Sequence, residues 1–319
     1  MSISLLTPFG ALVAVAALAP IVVFLRRERR ARRIRGTLGL EEPTPRQRLP
    51  LLAALVAVPA LLGLAAAQPV VAESRSLPER TDAEVFVAID ISRSMLASAS
   101  DGSPTRFERA EQIALDLRAE LPDVPIGIAS MTVGLLPHLF PTTDQRVFAA
   151  TLEDTLAVGR VWTGLGGSIA TSIDAIGAAP RLNYFPPTAE KRVLVVLTDG
   201  ESQPRTRDLG SEFSKEPRVQ PILVHVGGEG EKVFTNGIPE AEYTTDPNSR
   251  SILQSVANET DGLVLDESEA GELASRVRSA IGTGPTIETE QEGERRALMP
   301  YVTLLTILPL GFLLLRRNV

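Results

Sequence analysis

The sequence predicts an α/β domain with a doubly wound, mostly parallel sheet flanked by helices, carried on three transmembrane helices. Three observations predict it. Short Val-, Ile- and Leu-rich runs alternate with segments of helical periodicity, and these runs are apolar throughout rather than at every second residue, as strands covered on both faces must be. Outside that alternating region lie three uncharged apolar stretches, each about 20 residues long and so able to span a ~30 Å hydrocarbon layer. The 319 residues are 44% hydrophobic and 22% charged, enough to bury a core, while the absence of cysteine excludes thiolate chemistry, Cys-based metal centres and disulfides.

Taken in order, Leu5 to Leu25 is the first apolar run, Leu49 to Ala67 the second and Ala297 to Leu315 the third. A secretory leader carries its positive charge ahead of the apolar run, whereas here the cluster from Arg26 to Arg35 follows it, so the first run reads as an anchor. The second run, with Arg46 and Arg48 ahead of it and Ala65-Ala66-Ala67-Gln68 at its end, also fits a cleaved leader, and a buried core helix is the alternative for any of the three. Nine arginines lie between Arg26 and Arg48, and an Arg-rich loop between two spans belongs on the cytoplasmic side. Counting crossings then puts the segment after Ala67 outside and Arg316 and Arg317 inside. Residues 1–72 are assigned to two N-terminal spans and their loop, 73–282 to the exported domain, 283–296 to a linker and 297–319 to the last span and tail. Between the basic segments, 21 basic residues face 36 acidic ones, a net charge near −15 that argues against nucleic acid as a partner.

Within the domain the predicted strands are Val85 to Asp90, Ile126 to Met131, Arg192 to Thr198, Val219 to Val226 and Gly262 to Leu265, with Leu135 to Thr142, which holds two prolines, as an edge strand. The predicted helices are Arg106 to Leu121, opened by a Thr105/Glu108 capping box, then Ser168 to Ala178, Ser251 to Thr260 and Ala270 to Ile281. Pro69 to Arg80 and Thr283 to Arg296 read as polar stalks, and Gly227 to Arg250 as a long loop.

Asp90-Ile91-Ser92-Arg93-Ser94 places a carboxylate and two hydroxyls at alternate positions where the first strand ends. Alone, this pattern is also that of an Asx or Ser turn. A second carboxylate, Asp199, closes the Val193–Thr198 run, and Thr163 lies in a Gly-rich loop between them. In a sheet ordered 3-2-1-4-5-6 the first and fourth strands are neighbours, so Asp90 and Asp199 converge on the crevice where such folds bind ligands. Two carboxylates with three hydroxyls and no imidazole suit a hard cation, Mg²⁺ or Mn²⁺, rather than zinc. His138 and His225 belong to other strands and read as structural, and there is no phosphate loop, G-x-S-x-G elbow or H-E-x-x-H pair.

The order and spacing of Asp90-x-Ser92-x-Ser94, Thr163 and Thr198-Asp199-Gly200 resemble the von Willebrand factor A domain with its metal-ion-dependent adhesion site, over about residues 81 to 281. The resemblance implies Ser92, Ser94 and Thr163 as metal ligands, Asp90 and Asp199 as direct or water-bridged ones, and Ser168 as a substitute if the loop is shifted. The Asp-x-Ser-Arg-Ser-Met opening, the segment Pro104 to Ala110 and the span-loop-span-domain-span plan further resemble the membrane-anchored bacterial aerotolerance (Bat) type. That resemblance implies a non-enzymatic, metal-dependent protein-binding module in the bacterial envelope that takes an Asp or Glu from its protein partner. It also implies work with a MoxR-type AAA+ ATPase and other membrane proteins of the kind, while the Arg-rich segment is suited to anionic lipid. A Mg²⁺-dependent hydrolase, a surface adhesin and a domain whose motif survives only as a turn are the alternatives.

Overall fold

The computed structural model describes residues 2–38, 45–159 and 171–317. They form two compact units, Leu77–Thr289 and the combination of Met1–Ser76 with Glu290–Val319.

In the second of these, β1 (Ser2–Leu5) leads through a 3₁₀ segment (Pro8–Ala17) into α1 (Leu18–Leu38), and α2 (Pro45–Ala66) precedes β2 (Pro69–Arg80). The first apolar run is thus not one α-helix. It divides at residue 18, and α1 continues through the basic cluster that the sequence analysis treats as a loop. One helical segment, Leu49–Ala66 within α2, is long and apolar enough to cross a membrane among the described residues, and Met299–Leu315 is a shorter apolar helix. Close packing between α2 and the 3₁₀ segment depends on small residues: a Cβ at Gly63 would meet Ala14 at 2.8 Å, and one at Gly10 would meet the Ala66 carbonyl oxygen at 2.1 Å.

The larger unit is a six-stranded sheet. In chain order its secondary structure comprises β3 (Ala83–Asp90), β4 (Ala97–Ser98), α3 (Arg106–Glu120), β5 (Ile126–Met131), β6 (Leu135–Thr142) and α4 (Gln145–Thr155). After them come α5 (Ala178–Arg181), β7 (Lys191–Thr198), α6 (Leu209–Phe213), β8 (Val219–His225), β9 (Lys232–Thr235) and β10 (Ile238–Pro239). The series ends with α7 (Ser249–Thr260), β11 (Leu263–Asp266) and α8 (Leu273–Ile281), and the chain then continues into β12 (Thr286–Ala297) and α9 (Met299–Arg317). The large sheet is ordered β11-β8-β7-β3-β5-β6, with every pairing parallel except β5–β6. This is the 3-2-1-4-5-6 order expected, with β3 and β7 in register from Ala83↔Lys191 to Ile89↔Leu197.

Alternation along these strands builds two cores. Val85, Val87, Ile89, Val193, Val195 and Leu197 pack with Phe107, Ile113 and Leu117 of α3 and Val277 of α8, while Phe86, Ala88, Leu194 and Val196 pack with Ile173, Ile176, Leu253 and Val256 on the other face. Each fully buried aliphatic side chain contributes roughly 1.5–3 kcal/mol relative to exposure, which is why a strand hidden on both faces reads as an unbroken apolar run.

Three expectations are corrected. Ser168 to Ala178, read as one helix, is from Ile173 a 3₁₀ turn followed by the four residues of α5, with Ser168 outside the described residues. The two stalks are strands: β2 and β12 lie side by side in a three-stranded sheet with β1. The loop from Gly227 to Arg250 contains β9 and β10, which pair antiparallel with each other, and β9 pairs with β4 just beyond the Ser92/Ser94 turn. Helix α4, N-capped by Asp144, was not anticipated.

Candidate metal centre at the carboxyl end of the sheet

β3 ends on Asp90, whose side chain is fully buried. Its Oδ1 accepts the Ser92 amide at 2.9 Å, so the motif does form an Asx turn, and that turn swings Ser92 and Ser94 back over the strand end. The two hydroxyls lie 3.0 Å apart. β7 delivers Asp199, 1% exposed, in the same way: its Oδ1 accepts the Glu201 amide at 3.0 Å. Between those residues Gly200 has φ +74°, and a Cβ there would stand 2.7 Å from the Ser249 carbonyl oxygen, so the sharp exit from β7 needs glycine. Because β3 and β7 are hydrogen-bonded neighbours, the two turns share one crevice.

The sequence-predicted residues therefore fall into two groups. Asp90, Ser92, Ser94 and Asp199 are brought together, with the Ser92 and Ser94 hydroxyls bonded to each other beside the two carboxylates. Thr163 and Ser168 lie outside the described residues. A further hydroxyl that sequence reasoning missed also meets Asp90: Thr171, 3% exposed, donates to Asp90 Oδ1 at 2.8 Å. Thr198 donates to Asp90 Oδ2 at 2.6 Å and accepts the Gly200 amide at 3.1 Å. The only signal for Thr171 was its place just after the Gly-rich loop. It is held by backbone pairing to the segment after β7, where Gln203 N donates to the Thr171 carbonyl at 2.8 Å.

Arg106 was also missed as a site residue. The capping box of α3 forms as the sequence predicts, with Glu108 N donating to Thr105 Oγ1 at 3.2 Å and Thr105 N to Glu108 Oε2 at 2.7 Å, and it puts Arg106 at the first helical position. From there the guanidinium, 1% exposed, reaches Asp199 Oδ2 and Glu201 Oε1 at 2.9 Å each, the Tyr243 hydroxyl at 2.9 Å and Glu231 Oε2 at 2.7 Å. Gly227 makes room for it, since a Cβ there would come within 2.7 Å of Arg106 Nε.

Burial pushes the Asp90 carboxyl above the usual carboxylate range, against the hydrogen bonds from Thr198, Ser92 and Thr171. Asp199 is pushed up to about 7, first by burial and then by the charges of Asp90 and Glu201, with Arg106 and Ser94 acting the other way. Two carboxylates that resist ionisation side by side are an environment that a divalent cation relieves. Thr171 and Thr198 direct their protons at Asp90, which leaves oxygen lone pairs for a cation. Among the described residues no group of three or more His, Asp or Glu is arranged to hold a metal. The donor set is one of hydroxyls and carboxylates, which fits a hard ion such as Mg²⁺ or Mn²⁺.

The structure also gives His225 neighbours that the sequence did not reveal. Its Nε2 is 3.2 Å from Ser249 Oγ, and its Nδ1 is 3.9 Å from Asp266 Oδ1. This is a triad in outline only. The 3.9 Å separation exceeds a hydrogen bond, both Asp266 oxygens are held by Arg250 at 2.9 and 3.1 Å, and Ser249 is 4% exposed. His138 bonds to Ser130 at 2.7 Å on the edge strand, away from any carboxylate partner in its hydrogen bonds.

Residues 85–201 match the profile of the von Willebrand factor type A domain, so the chain carries such a domain. Two solved structures share the fold. One is an aerotolerance-related membrane protein from Bacteroides fragilis, 21% identical, with 62% of this chain and 98% of that one covered at a TM-score of 0.51. The other is the conserved hypothetical protein BatB from Bacteroides thetaiotaomicron, 22% identical, with the same coverage and a TM-score of 0.50. No curated protein sequence matches the chain.

Proposed function

We propose that the chain is a membrane-anchored protein-binding module whose domain takes a partner's Asp or Glu through a divalent cation. Ser92, Ser94 and Thr163 are the hydroxyl ligands in this reading, with Thr171 a further hydroxyl beside Asp90, and Asp90 and Asp199 supply the negative charge. The observation that carries it is the convergence of two buried carboxylates with the Ser92–Ser94 hydroxyl pair and with Thr171 and Thr198, which donate to Asp90. When bound, the cation supplies a positive centre for an outside carboxylate. The protein's own residues fix that centre: Asp90 accepts three hydrogen bonds and is anchored by them, and Asp199 is held by Arg106 and the Glu201 amide.

The module belongs, in this proposal, to the bacterial cell envelope, with the domain on the extracytoplasmic side and the Arg26–Arg48 segment and the tail in the cytoplasm. The apolar lengths support three crossings. The first run covers about 20 Å as a ten-residue 3₁₀ segment and about 12 Å more as the start of α1, while the apolar part of α9 covers about 26 Å. A MoxR-type ATPase and other membrane proteins of this type are the proposed co-workers, with the basic segment meeting either an ATPase or anionic lipid.

The test is recovery of envelope proteins on the full-length protein in detergent, with wild type, Asp90→Ala and wild type plus EDTA. Partner recovery only with intact wild type and metal is the expected result, and equal recovery in all three removes the cation from the mechanism.

A further inference from the structure

One group at the crevice is not accounted for by metal binding: a cation already built into the protein. Arg106 is 1% exposed, and a buried guanidinium next to a cation site is electrostatically unfavourable unless it is needed there. Its surroundings show how it is kept. Glu231 accepts from Arg106 Nε at 2.7 Å and from Arg109 at 2.7 Å, Arg109 in turn bonds Glu267 at 2.7 Å, and Thr245 accepts from Arg106 Nη2 at 3.2 Å. The Tyr243 hydroxyl, 2.9 Å from Arg106 Nη1, donates to Glu201 at 2.8 Å. The residues that fix the guanidinium thus come from the Gly227–Arg250 excursion and from Glu201, and the single metal-site carboxylate in its grip is Asp199.

Resting on the metal-site reading above, we infer that Arg106 is a positioning residue that keeps one oxygen of Asp199 engaged, so that the bound cation stays under-neutralised and requires a carboxylate from outside. Asp199 has two oxygens. Oδ2 accepts from Arg106 and Oδ1 from the Glu201 amide, so each Asp199 oxygen has one lone pair engaged and is a weaker donor to a cation than a free carboxylate. The guanidinium also places a unit positive charge beside the crevice, which weakens the hold on the metal and strengthens the pull on an incoming anion. The excursion sets how well this works, because Glu231, Tyr243 and Thr245 aim the guanidinium.

The experiment uses full-length protein in detergent micelles, with Mn²⁺ as the metal probe, followed by its free-ion EPR signal, and acetate as the carboxylate probe of the Mn²⁺-loaded form. Arg106→Gln combined with Glu231→Gln removes a buried charge of each sign and is compared with Glu231→Gln alone. The expected result is opposite movement: Mn²⁺ binds about tenfold or more tightly and acetate about tenfold or more weakly, the size set by one unit charge a few Å away at an effective dielectric near 20. Unchanged Mn²⁺ affinity, or weakening of both probes together as a merely structural role would give, overturns the inference.

A second variant stands independently of how well the double variant folds. Asp199→Asn is expected to weaken Mn²⁺ by no more than the roughly 100-fold typical of an outer-shell group, and a larger loss, marking Asp199 as a direct ligand, overturns the inference. Wild type that binds no Mn²⁺ overturns the metal-site reading itself and this inference with it. Wild type that binds Mn²⁺ while the variants behave against expectation overturns the role of Arg106 alone.

Discussion

Arg118 and Arg192 at the amino end of the parallel sheet and Arg106 at the carboxyl end are buried and satisfied in opposite ways, while Arg80, also at the amino end, is paired with Asp82 at 2.9 Å. At the amino end, Arg118 donates to the carbonyls of Val124 at 2.6 Å, Thr142 at 3.1 Å and Leu121, and Arg192 to those of Ala189 at 2.7 Å and Pro186 at 2.9 Å. Neither has a carboxylate among these partners, and burial lowers the Arg118 pKa to about 10. At the carboxyl end Arg106 is bonded to Asp199, Glu201 and Glu231. Carbonyl partners close loops and leave the charge in place, whereas carboxylate partners offset the guanidinium's charge and are themselves held in chosen positions. One end is thereby a clamp, and the other is a site.

The sharpest way to break this contrast is Arg118→Met. It leaves three loop carbonyls without their donor and should cost about 3–5 kcal/mol of unfolding free energy, measured by urea denaturation, with Mn²⁺ affinity unchanged in the folded fraction. A change in affinity would mean that the ends are not separate in role. Next in size is the metal itself. Saturation at 100 times the dissociation constant should stabilise the protein by about 2.7 kcal/mol, EDTA should remove that increment, and Asp90→Asn should show no increment at all in a thermal melt.

Thr171→Val removes one hydroxyl from the carboxyl end and should weaken Mn²⁺ by about tenfold, equivalent to about 1.4 kcal/mol. If calorimetry gives wild-type affinity, Thr171 is a strut for Asp90 and not a ligand. The smallest effect belongs to the amino end. Glu84 is pushed up to about 7, chiefly by burial and with Glu79 adding to it against Arg192, and its buried Oε2 has no hydrogen-bond partner among the described residues. A carboxyl whose folded-state pKa is raised binds more protons folded than unfolded, so stability falls as pH rises from about 4.5 to about 7. Glu84→Gln should flatten that slope and raise the melting midpoint modestly at pH 7.5, leaving metal affinity alone; a steeper slope would contradict the assignment.

What was legible in the sequence follows from locality. Strand positions, the capping box at Thr105 and the turns at Asp90 and Asp199 are written in residues within four positions of one another. The convergence of Asp90 and Asp199 needed only the strand order, which apolar, doubly covered strands imply. Arg106 was read as a helix start because its partners lie 93, 125 and 137 residues away, beyond any local pattern. Thr171 does not stand out in the sequence because its bond to Asp90 spans 81 residues, and the pairing with Gln203 that holds it comes from another segment. The stalks looked structureless since their alternating polar residues carry little apolar signal, yet backbone hydrogen bonding alone suffices to pair them.

The bond from Thr198 to Asp90 spans 108 residues of chain. Closing so long a segment is entropically expensive and slows assembly, and until it closes the crevice does not exist. An ion that binds there has no foothold on a half-assembled chain, so its benefit should fall on how long the finished domain survives rather than on how quickly it forms.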